Sequence, residues 1–448
     1  MHRDVASAYL AAGAKIGGWV GVSALVYRLS GADAFAMLAL VRATIGILNY
    51  TSLGLAPAMI SLMGSAGGHN RVAEVADRDE SPFQRIYANG LTLGLLAMTA
   101  GAIVIYLYAF AFPSLLKVPP AILPSIQAVV ALIGAGTLLR IVGDAPGAAV
   151  QTLGRISLDN LLSAAGEMLW VALSAAMIIA RPARGLELAA WAYVISGATA
   201  ATGRWFVAGM LGKLYWPRWR LIDAPILRGL LVFGVLVVLA QLADYLYAPA
   251  DYILINRLIG PDAVAVYAPA LMIDSALLLL VSAIASVLLP KTAVAHAAGD
   301  VRTIRRYYVR GALASVAILI ACAAGVYLAS PWIFWIWLKD PMKATQAILP
   351  LVLIHTIIGG SSAVGRSILL AVGKVRPFTI SVLIAGVGNV LLGFIFVRYL
   401  QLGLKGIVLG TVVAVVMRCA VWMPWYVLRS LDDLHRPLPD TPAPAFPA

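Results

Sequence analysis

Runs of about 20 mostly apolar residues recur along this chain, each long enough to cross the roughly 30 Å hydrocarbon core of a bilayer as a helix. The pattern predicts helices over about 5–27, 34–63, 86–112, 121–147, 157–180, 187–210, 226–257, 263–290, 307–330, 346–371, 378–398 and 404–428. Short charged or Pro/Gly-containing segments separate them. A 448-residue chain that is 62% hydrophobic and only 12% charged has too few polar residues to clothe a water-soluble body of that size. The first run follows Arg3 and continues to about Val26 without a small-x-small cleavage site, so it is expected to persist as the first span. The expected fold class is an all-α polytopic membrane protein of about 12 transmembrane helices, an even number that puts both termini on one side.

The basic residues sort by topology. Of the 33 Lys and Arg residues, 18 fall on the side of the termini, 9 on the opposite side and 6 within helices. That bias places both termini in the cytoplasm. The two halves read as copies. Gly31-Ala-Asp33 opens helix 2 and Gly260-Pro-Asp262 opens helix 8; Ala121-Ile-Leu-Pro124 and Ala347-Ile-Leu-Pro350 open helices 4 and 10. Arg140 and Arg366 share the latter pair's offset of 226 residues, and Gly154-Arg155 and Gly373-Lys374 follow the two helices. An even number of spans per copy makes the repeats parallel, an organisation found in transporters built around a midplane site. The expected domains are an N-terminal six-helix bundle (1–212), a cytoplasmic linker (213–225), a C-terminal six-helix bundle (226–430) and a disordered tail (431–448). The linker mixes bases with Tyr215, Trp216 and Trp219, which suits the anionic cytoplasmic leaflet better than nucleic acid.

Six cations lie inside predicted helices: Lys15, Arg42, Arg140, Arg204, Arg366 and Arg418. At roughly 2.5 to 3.5 kcal/mol each, exposing all of them to lipid would cost on the order of 15 to 20 kcal/mol, so most must face protein, water or headgroups. Arg204 and Arg418 are near enough to cytoplasmic ends to snorkel. Helical spacing aligns His355, Gly359, Ser362 and Arg366 in helix 10 and Arg42, Gly46 and Asn49 in helix 2. In helix 7, Gln241, Asp244 and Asp251 share a face and Pro249 is expected to kink the helix between them. Glu167 and Asp274 complete the intramembrane acids, and each either pairs with a base or titrates to couple proton or sodium movement. The candidate substrate-binding residues are thus Lys15, Arg42, Asn49, Arg140, His355 and Arg366; the candidate ion-coupling residues are Glu167, Asp244 and Asp274. Gly13, Gly17 and Gly21 offer a close-packing stripe on helix 1. Cys322 and Cys419 fall in different apolar runs and read as packing residues. No catalytic motif, metal-ligand spacing or extramembrane catalytic domain is evident, so an enzyme and a cofactor are not expected.

The segment Asp251-Tyr-Ile-Leu-Ile-Asn-Arg-Leu-Ile-Gly260-Pro-Asp-Ala-Val-Ala-Val-Tyr267, with its shorter echo from Gly31 to Arg42, resembles the multidrug/oligosaccharidyl-lipid/polysaccharide (MOP) flippase superfamily. The nearest branch is the Wzx-type polysaccharide-transport branch. The resemblance covers about residues 1 to 430. It implies two bundles around an alternately opening cavity. It also implies a polyprenyl-pyrophosphate-linked oligosaccharide as cargo, flipped to the outer leaflet of a bacterial inner membrane, with polysaccharide polymerase and glycosyltransferases as partners. Buried guanidinium groups suit pyrophosphate because they make paired, charge-assisted bonds to its oxygens. The main alternative is a cation-coupled multidrug antiporter of the same superfamily, which should have an acidic, aromatic cavity. A polyprenyl-linked membrane glycosyltransferase or polymerase would need a larger external loop than any present.

Overall fold

The computed structural model describes residues 2–46, 55–67, 81–212, 214, 219–232 and 246–434. Among these, the chain is all-α, and nine helices are long and apolar enough to cross a membrane. The principal elements are α1 (His2–Ser30), α2 (Ala32–Ile45), α3 (Leu55–Gly67), α4 (Pro82–Leu115), α5 (Leu123–Val142), α6 (Asp144–Thr152), α7 (Ile156–Ala180) and α8 (Gly185–Gly212). They continue with α9 (Ala248–Leu254), α10 (Pro261–Ala297), α11 (Val301–Leu338), α12 (Lys343–Ala371), α13 (Val375–Arg398), α14 (Gly403–Val415) and α15 (Met423–Leu434). Tyr106 and Phe110 on α4 and Leu328 and Trp332 on α11 are all more than 70% exposed, an apolar exterior that suits lipid and not water.

Several expected helices are interrupted for local reasons. The helix expected over 121–147 divides at Gly143 into α5 and α6. Pro146 has no N–H to return to the carbonyl of Val142, so the ladder cannot run through this point. Gly143 fits the junction because a Cβ there would lie 3.2 Å from Ala201 Cα of α8. Pro249 sits in the first turn of α9, where its missing N–H costs nothing; the part of the expected helix over 233–245 lies outside the described residues. The last expected helix contains a π-helical stretch, Val416–Trp422, immediately before Pro424 in α15, and the wider turn accommodates the donor that proline lacks. A second π turn, Ile255–Ile259, ends the α9 segment. The helix-2 residues 47–54, including Asn49, and residues 233–245, including Gln241 and Asp244, lie outside the described residues.

The repeated sequence signals recur as backbone geometry. Gly154 and Gly373 both have positive φ, 79° and 75°. The following residue donates across five positions in each case, Arg155 N to Val150 O at 3.1 Å and Lys374 N to Leu369 O at 2.8 Å. Both are glycine-terminated helix caps of the Schellman type, in which only glycine adopts the left-handed turn without strain. By contrast, the expected glycine stripe on α1 does not pack as a unit. A Cβ at Gly13 or Gly17 would meet nothing within 4 Å, whereas Gly18 lies against Glu167 and Gly21 against Val171.

The chain forms two compact units, one of Met1–Pro269 with Phe334–Pro341 and the other of Ala270–Ile333 with Met342–Ala448. In the first unit α1 packs on α7 and α5 on α8. The α5–α8 contact is backbone-close: a Cβ at Gly197 would sit 2.9 Å from the Gly136 carbonyl oxygen. That approach brings the charged side chains of both helices into one space.

Candidate functional site

A cavity of about 530 Å³ opens inside the first unit, within the size range of small-molecule sites. Helices α1, α2, α5, α6, α7 and α8 all contribute to its wall. Lys15, Arg42, Arg140 and Arg204 line it together with Asp144 and Glu167. Three of the expected substrate-binding residues and one of the expected coupling acids therefore come together.

Arg42 lies on an aromatic shelf. Its guanidinium carbon is 4.2 Å from the Trp19 ring centroid and 5.3 Å from that of Trp170. The two indoles are nearly parallel, 10° apart, with centroids separated by 6.2 Å. Burial strengthens such cation–π contacts to about 2 kcal/mol. Arg42 Nη1 is buried and has no hydrogen-bond partner among the described residues. A buried guanidinium N–H without an acceptor is costly, and an anionic ligand would relieve that cost.

Arg140 and Arg204 are engaged differently. Arg140 Nη1 lies 2.7 Å from Glu167 Oε1, its Nη2 donates to Ser196 Oγ at 3.0 Å, and its guanidinium covers the Tyr193 ring at 4.2 Å. Glu167 Oε2 is buried, accepts no hydrogen bond among the described residues and lies against Gly18. Arg204 Nε lies 2.7 Å from Asp159 Oδ1, and its Nη2 donates to Ser163 Oγ at 2.6 Å. Asp144 Oδ1 is 3.8 Å from Arg204, and Gln151 donates to the other oxygen of Asp159 at 2.8 Å. Arg204 thus sits on a buried carboxylate and does not snorkel. With Lys15 exposed at the cavity's edge, four bases face three acids, and among the described residues Arg42, like Lys15, has no carboxylate at hydrogen-bond distance.

Of the other expected site residues, Asp274, His355 and Arg366 lie in the second unit, and Asn49 and Asp244 lie outside the described residues. Asp274 is buried, with Thr356 Oγ1 at 2.6 Å and His355 Nδ1 at 3.8 Å. Arg366 is exposed, its guanidinium 5.6 Å from the Phe378 ring. The aligned stripe on α12 therefore runs from a buried His355 to an exposed Arg366, because residues sharing a face can differ in depth. The sequence match between Arg140 and Arg366 does not make them equivalent in environment. Asp251 is buried and accepts from Tyr267 at 3.1 Å.

Helical periodicity missed the aromatic shelf and the roles of Asp144 and Asp159. Trp19 stands four positions after Lys15, and Trp170 three after Glu167, so both were detectable as neighbours of the chosen charges. Nothing in one sequence indicates that α1, α2 and α7 converge.

A chain described as a multidrug resistance MATE family transporter of the MOP superfamily, in an inward-facing conformation, superposes with a TM-score of 0.76. The match covers 94% of this chain and 96% of that one at 18% identity. The fold is that of the MATE transporters. An outward-facing multidrug resistance MATE transporter gives a TM-score of 0.66 at 18% identity, covering 96% of this chain and 95% of that one. A MOP superfamily transporter from Pyrococcus furiosus gives 0.65 at 15% identity, with coverage of 97% and 96%. For that transporter, reversed polarity of the binding pocket was taken to suggest a different function. The MatE family model matches residues 237–395 of this chain. No curated protein matches the sequence.

Proposed function

We propose that this protein is an alternating-access secondary transporter of the MOP superfamily whose cargo is an amphipathic organic anion. The observation that carries the reading is Arg42, a partly buried guanidinium on a two-tryptophan shelf whose buried Nη1 has no partner among the described residues, in a cavity where bases outnumber acids. The shelf suits an apolar or aromatic body, and Arg42 with Lys15 suits a phosphate, sulfonate or carboxylate head. The shared fold and the MatE match support the multidrug-transporter side of the alternatives more than a lipid-linked oligosaccharide flippase. The cavity volume also favours a drug-sized solute. The flippase remains a second reading because a pyrophosphate head would satisfy the same bases.

The test compares two probes of matched size, naphthalene sulfonate and naphthyl trimethylammonium, in proteoliposomes. Sulfonate uptake that is lost in Arg42→Ala and reduced in Lys15→Ala is expected. Uptake of the ammonium and not the sulfonate, unaffected by Arg42→Ala, would overturn the anionic reading. A third arm, scrambling of a polyprenyl-pyrophosphate-linked sugar, separates the flippase from a soluble-anion transporter.

A further inference from the structure

We infer that Glu167 is a proton site that loads together with the anion, so that this cavity couples protons and cargo in the same direction. The inference rests on the anionic-cargo reading and concerns the coupling of that same site.

The geometry is a competition for one guanidinium. In the resting arrangement Glu167 Oε1 holds Arg140 Nη1 at 2.7 Å, while Oε2 is buried and accepts no hydrogen bond among the described residues. A proton taken up on Oε2 removes the carboxylate charge and with it the charge-assisted bond to Arg140. Arg140 keeps its Ser196 contact at 3.0 Å and its seat over Tyr193, so it stays in place with Nη1 released toward the cavity. The anion then meets Arg42 and Arg140 instead of Arg42 alone.

The surroundings fix the sign. The charged and titratable groups around Glu167 are Lys15 on α1, Arg42 on α2, Arg140 on α5, Asp144 on α6, Asp159 on its own helix, and Tyr193 and Arg204 on α8. Asp144 and Asp159 are already committed to Arg204, at 3.8 and 2.7 Å. Glu167 is therefore the acid whose neutralisation frees a base in the cavity, Arg140 over Tyr193. By linkage, whatever a proton does for anion affinity the anion does for proton affinity. An antiporter of organic cations needs the opposite, proton and cargo competing for one carboxylate.

The experiment measures naphthalene sulfonate affinity for the full chain in nanodiscs as a function of pH, since a sulfonate keeps its charge throughout. Wild type is expected to bind more tightly as pH falls, with a total rise on the order of 5- to 150-fold. Glu167→Gln should bind tightly at every pH, and Arg140→Gln should bind at the weak, high-pH level of wild type at every pH. A variant-free arm follows pH inside voltage-clamped proteoliposomes of wild type: an inward sulfonate gradient should acidify the lumen. A pH-independent wild-type affinity, a slope that survives in Glu167→Gln, or an alkalinised lumen would overturn the inference alone. Sulfonate that binds at no pH would sink the cargo reading as well.

Discussion

Replacing Asp159 with alanine removes the anion beneath Arg204, and its cost follows from what is left behind. Asp159 is 1% exposed; it pairs with Arg204 Nε at 2.7 Å and accepts from Gln151 at 2.8 Å. Without it Arg204 keeps Ser163 at 2.6 Å and a distant Asp144 at 3.8 Å. Removing one partner of a buried ion pair costs about 3–5 kcal/mol, because the remaining charge stays desolvated. The unmet Gln151 donor adds about 1 kcal/mol. Against a net stability of about 5–15 kcal/mol, that should produce a large loss of thermal stability in detergent. The Asp159→Ala/Arg204→Met double variant removes both charges and should recover most of the loss, since the pair's net worth is small compared with the cost of breaking it. Thermal unfolding of the four proteins closes the cycle. An Asp159→Ala protein as stable as wild type, or a double variant at least as unstable as Asp159→Ala, would refute the account of Arg204 as a held structural cation.

Gly197→Val should destabilise the first unit by about 1–3 kcal/mol, because even its Cβ meets the Gly136 carbonyl at 2.9 Å and backbone cannot give way like a side chain; unchanged thermal unfolding would contradict the close α5–α8 approach. Asp300 precedes α11, and hydrogen bonds from the Thr303 side chain and from Thr303 N, the latter at 3.0 Å, hold its carboxyl below the usual carboxylate range. Its contribution to the helix start is present above the unfolded-state value of about 3.9 and lost as pH falls through the lower folded value. Hydrogen exchange in the first turn of α11 should show fraying at acid pH in wild type but less change with pH in Asp300→Asn, whose amide keeps a capping oxygen.

Much of the fold is legible because the bilayer imposes a length and a polarity on each helix. The Gly154 and Gly373 turns were visible as matched sequence signals and recur as the same hydrogen-bonded cap. Interruptions were harder to place: Pro146 and Pro424 were in plain view, but whether proline kinks, splits or starts a helix depends on the neighbouring turn. The site was half legible. Charge in an apolar run marks a residue as facing away from lipid, which selects Lys15, Arg42, Arg140, Glu167 and Arg366 alike. It cannot say which of them share a cavity. Arg366 is exposed while Arg140 is locked between Glu167, Ser196 and Tyr193, and that difference is set by helix packing, not by spacing.

The sign of the cavity rests on few residues, which makes it reversible. Four bases and three acids form the cluster. Substituting methionine for both Arg42 and Arg140 leaves Lys15 and Arg204 against Asp144, Asp159 and Glu167, so the acids come to outnumber the bases by one. The same change clears the faces of Trp19, Trp170 and Tyr193, which the two guanidinium groups now occupy. An aromatic wall beside an unpaired carboxylate is the usual recognition chemistry for a quaternary ammonium. The folded Arg42→Met/Arg140→Met protein should therefore bind naphthyl trimethylammonium and reject naphthalene sulfonate, the reverse of wild type. Its affinity for the cation should weaken as pH falls, because proton and cargo would then compete for Glu167. If the folded double variant still prefers the sulfonate, selectivity is set outside this cavity, and the charge argument for the cargo fails with it.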